Sequence, residues 1–261
     1  MINAYLHSLK ALVLREILKD LRNPGRIISV IMFPLLFIGV LGRGLDTLGT
    51  GSGVPAAELI FTGVAVQESF AQASRAVLDI ARERDEGLTQ ELMVAPIPKV
   101  LILFGKILGS IPLGLAQASM VVLLGFVLGV ELTLYKVAVI LGVIPLVCFA
   151  GGAYGIIIVT FLKDARSVNE FAQLFFFPQF FLAGVLVPIA TFPPLVRALA
   201  LCLPLTYVIE ITRGLYFRFD PVALKAVTNV PLMIGSLVLT VITLVLLTIG
   251  TKRFVYRETH K

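Results

Sequence analysis

Arg82-Glu83-Arg84-Asp85-Glu86-Gly87-Leu88-Thr89-Gln90-Glu91-Leu92-Met93-Val94-Ala95-Pro96 separates two long apolar segments. Placing Asp, Lys or Arg at the centre of a bilayer costs about 2.5–3.5 kcal/mol per residue even on the mild insertion scale. So dense a block of charge therefore lies outside the hydrocarbon. Leu88, Leu92 and Val94 give it an apolar side as well. Charge with an apolar anchor suits a docking surface; the alternative is a solvated loop without a partner.

Working outward, the 261 residues are 58% hydrophobic and 15% charged, with a mean hydropathy of +0.98. Soluble domains carry roughly 25% charged residues, so the composition is that of an all-α integral membrane protein. A signal peptide does not fit the start: no small-residue cleavage site follows the first apolar stretch. Two cysteines, Cys148 and Cys202, make no disulfide framework. The two histidines, His7 and His260, lie near the ends. That argues against a two-histidine zinc site and against Ser-His proteolysis. No metal site and no catalytic residue is expected, and the net charge of +6 is no nucleic-acid signal.

Six apolar segments are placed near Ile27–Leu41, Glu58–Ile80, Val100–Val130, Val137–Leu162, Val168–Val187 and Val227–Ile249. Most approach the 20 or so residues that a spanning helix needs. Upstream, Leu6, Leu9, Val13 and Ile17 recur at helical spacing among Lys10, Arg15, Glu16 and Lys19, as in a helix lying in the membrane interface. Pro188, Pro193, Pro194 and Pro204 break up an otherwise apolar stretch before the last segment. Irregular backbone at membrane depth has to be buried by protein, so two short re-entrant or interfacial helices are expected there. The expected organisation is a single membrane domain over 1–261, with an interfacial helix in 1–26 and five spans in 27–187. An outer re-entrant segment in 188–226, a last span in 227–251 and a tail in 252–261 complete it.

Counting Lys and Arg tests the orientation. With the N-terminus inside, the inside segments, taken together with Lys106 near the inner end of the third span, hold fifteen and the outside segments six, and Arg75 falls within a span. The positive-inside rule then puts both termini, and the block at Arg82–Pro96, in the cytoplasm.

Nucleotide hydrolysis by this chain is not expected. The pattern Gly, four residues, Gly-Lys-Ser/Thr is absent, and Gly105-Lys106 is followed by Ile107. Gly51-Ser52-Gly53 reads as an outer loop without a base for a serine nucleophile.

Glu68, Gln72, Arg75 and Asp79 follow at i, i+4, i+7 and i+11, forming one stripe of the second span. Lipid penalises that face, so it should turn inward, either as the lining of a pathway or dimer seam or as a hydrogen-bond ladder between spans. The fifth span carries Phe171, Phe175, Phe176, Phe177, Phe180 and Phe181. These rings serve lipid and core packing, or an aromatic wall for an apolar cargo. The absence of tryptophan favours a hydrophobic or amphipathic cargo over a polysaccharide.

Glu83-Arg84-Asp85-Glu86-Gly87 followed by Glu91-Leu92-Met93-Val94-Ala95-Pro96 resembles the inside loop of the permease subunits of ABC type-2 exporters. Leu203-Pro204-Leu205-Thr206-Tyr207, with Glu210, Arg213 and Gly214, resembles the same family's outer motif. The likeness covers essentially the whole chain. It departs at Leu88, where the family often has Thr; here Thr89 comes one place later. The resemblance implies that Arg82 to Gly87, Glu91, Leu92 and Pro96 form a coupling helix clamped by a separate cytoplasmic ATP-binding subunit. It implies a dimer of identical subunits, since six spans are few for a sealed pathway, with two ATPase copies that hold ATP and magnesium. It places the chain in a prokaryotic inner membrane. Pathway candidates are Glu68, Gln72, Arg75, Phe175, Phe176 and Phe180. Pro204, Tyr207, Glu210 and Arg213 are candidates for an outer gate, with Glu210 and Arg213 read as an i, i+3 ion pair. A polysaccharide exporter, a secondary transporter and a membrane anchor are the competing readings.

Overall fold

The computed structural model describes residues 10, 13–19, 22, 24–48, 54–86, 99–162 and 164–259, and among them there is no strand. Helix α1 covers residues 13–19. Helix α2, Pro24–Pro34, runs into a π-helical stretch, Leu35–Gly42, and then α3, Arg43–Leu48. The change of helical winding follows Pro34, whose ring lacks an N–H to donate. Helices α4 (Ala56–Asp85), α5 (Lys99–Val127), α6 (Leu134–Phe161) and α7 (Ala165–Leu182) follow. A 3₁₀ turn, Ile189–Thr191, precedes α8 (Pro194–Ala200), α9 (Pro204–Tyr216), α10 (Pro221–Val227) and α11 (Leu232–Thr259).

Three helical stretches among the described residues are long and apolar enough to cross a membrane: Val100–Val127, Leu134–Phe161 and Leu232–Tyr256. Helices α8 and α9 together are apolar enough for a fourth, but they bend by 91° at the break between them, as a broken span or a re-entrant pair does. Helix α4 is not apolar enough, yet it is the hub of the bundle and packs against α5, α6, α7, α9 and the π-helical stretch. From Ala56 to Ala81 nearly every residue is buried. Helix α11 is the opposite case: only 11% of its most apolar window is buried. Lipid accepts an apolar surface and rejects a polar one, so polarity sits at the centre of the bundle and the greasiest helix sits on its rim.

Small residues bring the central helices together. A methyl on Gly151 would lie 2.4 Å from the carbonyl oxygen of Phe70, and one on Gly155 2.7 Å from that of Ser74. The Ser74 hydroxyl donates across the same crossing to Gly151 O at 2.7 Å. Gly151 and Gly155 have the four-residue spacing that lets helix backbones approach closely in membranes. At the tip between α5 and α6, Gly129 takes φ +71°, and Thr133 caps α6 by accepting from Lys136 N. The last helix starts at Leu232, after Pro231, rather than at Val227, because α10 and the Thr228–Pro231 connection occupy the intervening residues.

Candidate functional site: a phenylalanine-walled cavity between two charged ends

A cavity of about 680 Å³ opens between α2 with its π-helical continuation, α4 and α7. Phe33, Phe37, Phe176, Phe177 and Phe180 form its apolar walls. Three of these rings pack as one cluster. Phe33 and Phe37 lie 4.3 Å apart by centroids, and Phe180 meets them edge-on at 5.3 and 4.7 Å. Helical spacing puts Phe33 and Phe37 on one face, and the π-helical winding starts between them. The polar edge consists of Gln67, Glu68 and Arg75 from α4 and Gln173 from α7. Glu68 Oε2 accepts from Gln117 Nε2 at 2.6 Å and faces Arg75 Nη2 at 4.0 Å.

The polar stripe of α4 thus divides. Glu68 and Arg75 line the cavity. Gln72 is buried beside them without lining it, and Asp79 turns to Lys19 of α1 at 2.9 Å. Among the phenylalanines, Phe176 and Phe180 reach the cavity, whereas Phe175 is partly exposed and stacks on Phe171 at 4.3 Å.

At the end where α4 finishes and α5 begins, a buried charge network ties α1 to both. Lys106 Nζ donates to Glu16 Oε1 at 2.8 Å and to Glu83 Oε1 at 3.0 Å. Lys19 also reaches Glu83 at 3.2 Å, and Arg15 stands 3.6 Å from it. Gly109 makes room for this docking: a methyl there would lie 3.0 Å from Glu16 Cβ and 3.4 Å from Val13 Cα. Burial alone would raise the Glu83 carboxyl, but Lys106, Lys19 and Arg15 hold it below the usual range. For Lys19, burial pulls the ammonium down, and Asp79 foremost, with Glu83 and Glu16, more than offsets it and holds it above the ordinary value.

The loop residues named in the sequence reading are therefore not one outward surface. Glu83 points into this network, with 5% of its side chain exposed. Asp85 accepts from Ala165 N at 2.9 Å and so caps the start of α7. Arg82 and Glu86 are exposed. The Arg84 side chain, and Gly87, Glu91, Leu92 and Pro96 with the rest of 87–98, lie outside the described residues.

At the far end, Pro204 opens α9 at a position where no backbone donor is needed. The bend before it is stitched by two bonds: Tyr207 OH donates to Leu201 O at 2.7 Å, and Thr206 Oγ1 to Ala200 O at 2.6 Å. Glu210 and Arg213 are not the surface ion pair that their spacing suggests; they are 3% and 0% exposed, and each has its own partners. Glu210 Oε2 accepts from Asn229 N at 2.6 Å and Val230 N at 3.0 Å, fixing the chain just before α11. Arg213 Nη2 donates to Val185 O at 2.9 Å and Leu59 O at 3.2 Å, and Nε to Thr62 Oγ1 at 3.4 Å. This one guanidinium joins α9, α4 and the segment after α7.

Sequence reading missed Glu16, Lys106, Gln117, Phe33 and Phe37. Lys106, a lone cation seven residues into an apolar helix, was the available signal. Its partners lie on other helices, so no spacing rule could pair them.

Residues 7–217 match the ABC-2 type transporter family, and the chain belongs to that family. Among curated relatives, transport permease ycf38 of Cyanophora paradoxa is 24% identical over 217 residues, covering 81% of this chain and 75% of that protein. Its counterpart in Porphyra purpurea is 26% identical over 231 residues, covering 82% and 76%. The inner membrane transport permease YhhJ of Escherichia coli is 28% identical over 141 residues, covering 53% of this chain and 37% of that protein.

Proposed function

We propose that this chain is the membrane half of an ATP-driven exporter. It works as a pair of identical copies with two copies of a separate cytoplasmic ATP-binding subunit, in the inner membrane of a prokaryote. The observation that carries this reading is the cavity of about 680 Å³ with Glu68 and Arg75 on its edge. Its lining comes from α2 with its π-helical continuation, α4 and α7 of a single copy. Its rings suit a hydrophobic or amphipathic small molecule or lipid.

The topology proposed has six spans with both termini in the cytoplasm. Support for counting α2 to α3, α4 and α7 with the three apolar helices comes from their packing around α4 and from the fifteen-to-six distribution of Lys and Arg. Helices α8 and α9 are then a re-entrant pair on the outer side, with Pro204, Tyr207, Glu210 and Arg213 ordering the exit. The segment Arg82–Pro96 is the docking site of the ATP-binding subunit, which holds ATP and magnesium and supplies the closing movement. In this chain Arg82 and Glu86 orient that docking, and Glu83 passes the movement on through Lys106 to α1 and α5.

Copurification in mild detergent tests the proposal. Recovery of an ATP-binding subunit in equal stoichiometry, lost when exposed Arg82 and Glu86 are reversed in charge while the protein stays folded, is the expected result. A stable dimer with no such partner, transporting without ATP, would place the chain among secondary transporters; a complex without ATP-dependent transport would make it an anchor.

A further inference from the structure

We infer that the phenylalanine-walled cavity is a binding site for an amphipathic amine, its apolar body among the rings and its protonated nitrogen at Glu68. This rests on reading the cavity as the cargo route, and it names the class of cargo.

The charge comes first. Glu68 is twelve residues into α4 and seventeen before its end, about 18 and 25 Å along the axis at 1.5 Å per residue, which is the middle of the helix. A carboxylate at such depth in a membrane is costly and marks a route or a ligand site. Its partners compensate it only in part. Gln117 is neutral, and Arg75 stands 4.0 Å away, beyond hydrogen-bond distance, with 43% of its side chain exposed. An incoming ammonium can therefore gain a close partner in Glu68, replacing the loose one.

The walls agree in sign. Phenylalanine faces carry negative electrostatic potential, so rings that turn a face to the cavity favour a cation over an anion beside Glu68. Gln67 adds an acceptor to the same wall: its Oε1 is buried and has no hydrogen-bond partner among the described residues. A donor carried in by a ligand is what that oxygen lacks. Among the described residues Arg75 is the one lining cation, and it is more exposed than Glu68, so the more buried charge of the site is the acidic one.

The test needs no ATP-binding subunit. Purified protein in detergent is titrated with a fluorescent naphthyl-alkylamine, its uncharged N-acetyl derivative and the matching carboxylate. The amine is expected to bind saturably and at least about tenfold tighter than either analogue. Glu68→Gln should weaken the amine about tenfold and leave the N-acetyl derivative unchanged, whereas Glu68→Asp should keep the preference for the amine. Phe180→Leu, with less ring surface, should weaken amine and neutral analogue alike. Should Glu68→Gln fail to fold, the analogue comparison on the unaltered protein decides alone. Equal binding of amine and neutral analogue overturns the proposal. So does absence of binding together with disulfide cross-linking between copies at Phe177→Cys, which makes the cavity a protein interface. Amine binding without any ATP-binding partner in copurification would leave this site standing while the exporter reading falls.

Discussion

Lys106 and Glu83 meet at 3.0 Å with 3% and 5% of their side chains exposed. Glu16 completes the group from α1 at 2.8 Å. A buried ion pair is weak evidence of net stability, because desolvation opposes the attraction. Removing one partner is another matter, since it strands an uncompensated charge. The relationship therefore acts as a lock: it holds α1 on the end of α4 and the start of α5.

Lys106→Met should destabilise the protein by about 3–5 kcal/mol, since it leaves two buried carboxylates facing each other. Adding Glu16→Gln and Glu83→Gln should recover most of the loss. Thermal unfolding in detergent reads both; a single variant as stable as the parent would show that the network does not hold α1.

Acid and alkali should release α1 at opposite extremes. Glu83 has a lowered folded pKa, so its contribution is present above about pH 4.3 and is lost as pH falls through the lower folded value. Lys19 has a raised folded pKa, so its contribution is present below about pH 10.4 and is lost as pH rises through the higher one. Fluorescence anisotropy of a probe on exposed Leu18 should stay flat between these limits. A midpoint near neutrality would exclude these two groups as its cause.

Arg213→Met removes the donor that serves the buried carbonyls of Leu59 and Val185. Val185 O loses a donor at a cost of about 1–3 kcal/mol, whereas Leu59 O keeps the bond it accepts from Thr62 Oγ1 at 2.7 Å. Arg213→Lys should be only a partial repair, because an ammonium cannot fork as a guanidinium does. The loss should appear both in unfolding and as faster proteolysis after Gly184, where the chain leaves α7.

Two glycines of one helix should respond with opposite signs. Gly151→Ala drives a methyl to 2.4 Å from Phe70 O and should cost about 1–3 kcal/mol by forcing α4 and α6 apart. Gly142→Ala meets nothing within 4 Å and should stabilise α6 by about 0.5–1 kcal/mol. Matching shifts at both positions would mean that the close crossing does not exist.

Two of the apolar helices were legible with nearly their observed limits: Val100–Val130 against Lys99–Val127, and Val137–Leu162 against Leu134–Phe161. Hydropathy works there because an uninterrupted apolar run has few alternatives in lipid. It fails for α4, whose polar stripe lowers its hydropathy although it is the most central helix. Periodicity recovered that stripe, and with it Glu68 and Arg75 of the cavity. Periodicity could not say that Asp79 leaves the stripe for Lys19, nor that Phe175 turns from the cavity while Phe176 enters it. Those choices depend on which helix stands opposite.

What the chain determines by itself is the class of solvent around it and the period of its helices: a membrane bundle, a charged block that hydrocarbon rejects, a polar face turned inward and a proline-broken segment before the last helix. These follow from transfer free energy and helical geometry, which act residue by residue. Tertiary structure alone decided that Phe33 and Phe37 meet Phe180, that Glu210 and Arg213 part to separate partners, and that Lys106 joins Glu16 to Glu83 across ninety and twenty-three residues of chain. A pair interaction becomes favourable only when packing brings both groups together and excludes water, and no local pattern encodes which distant helix will do so.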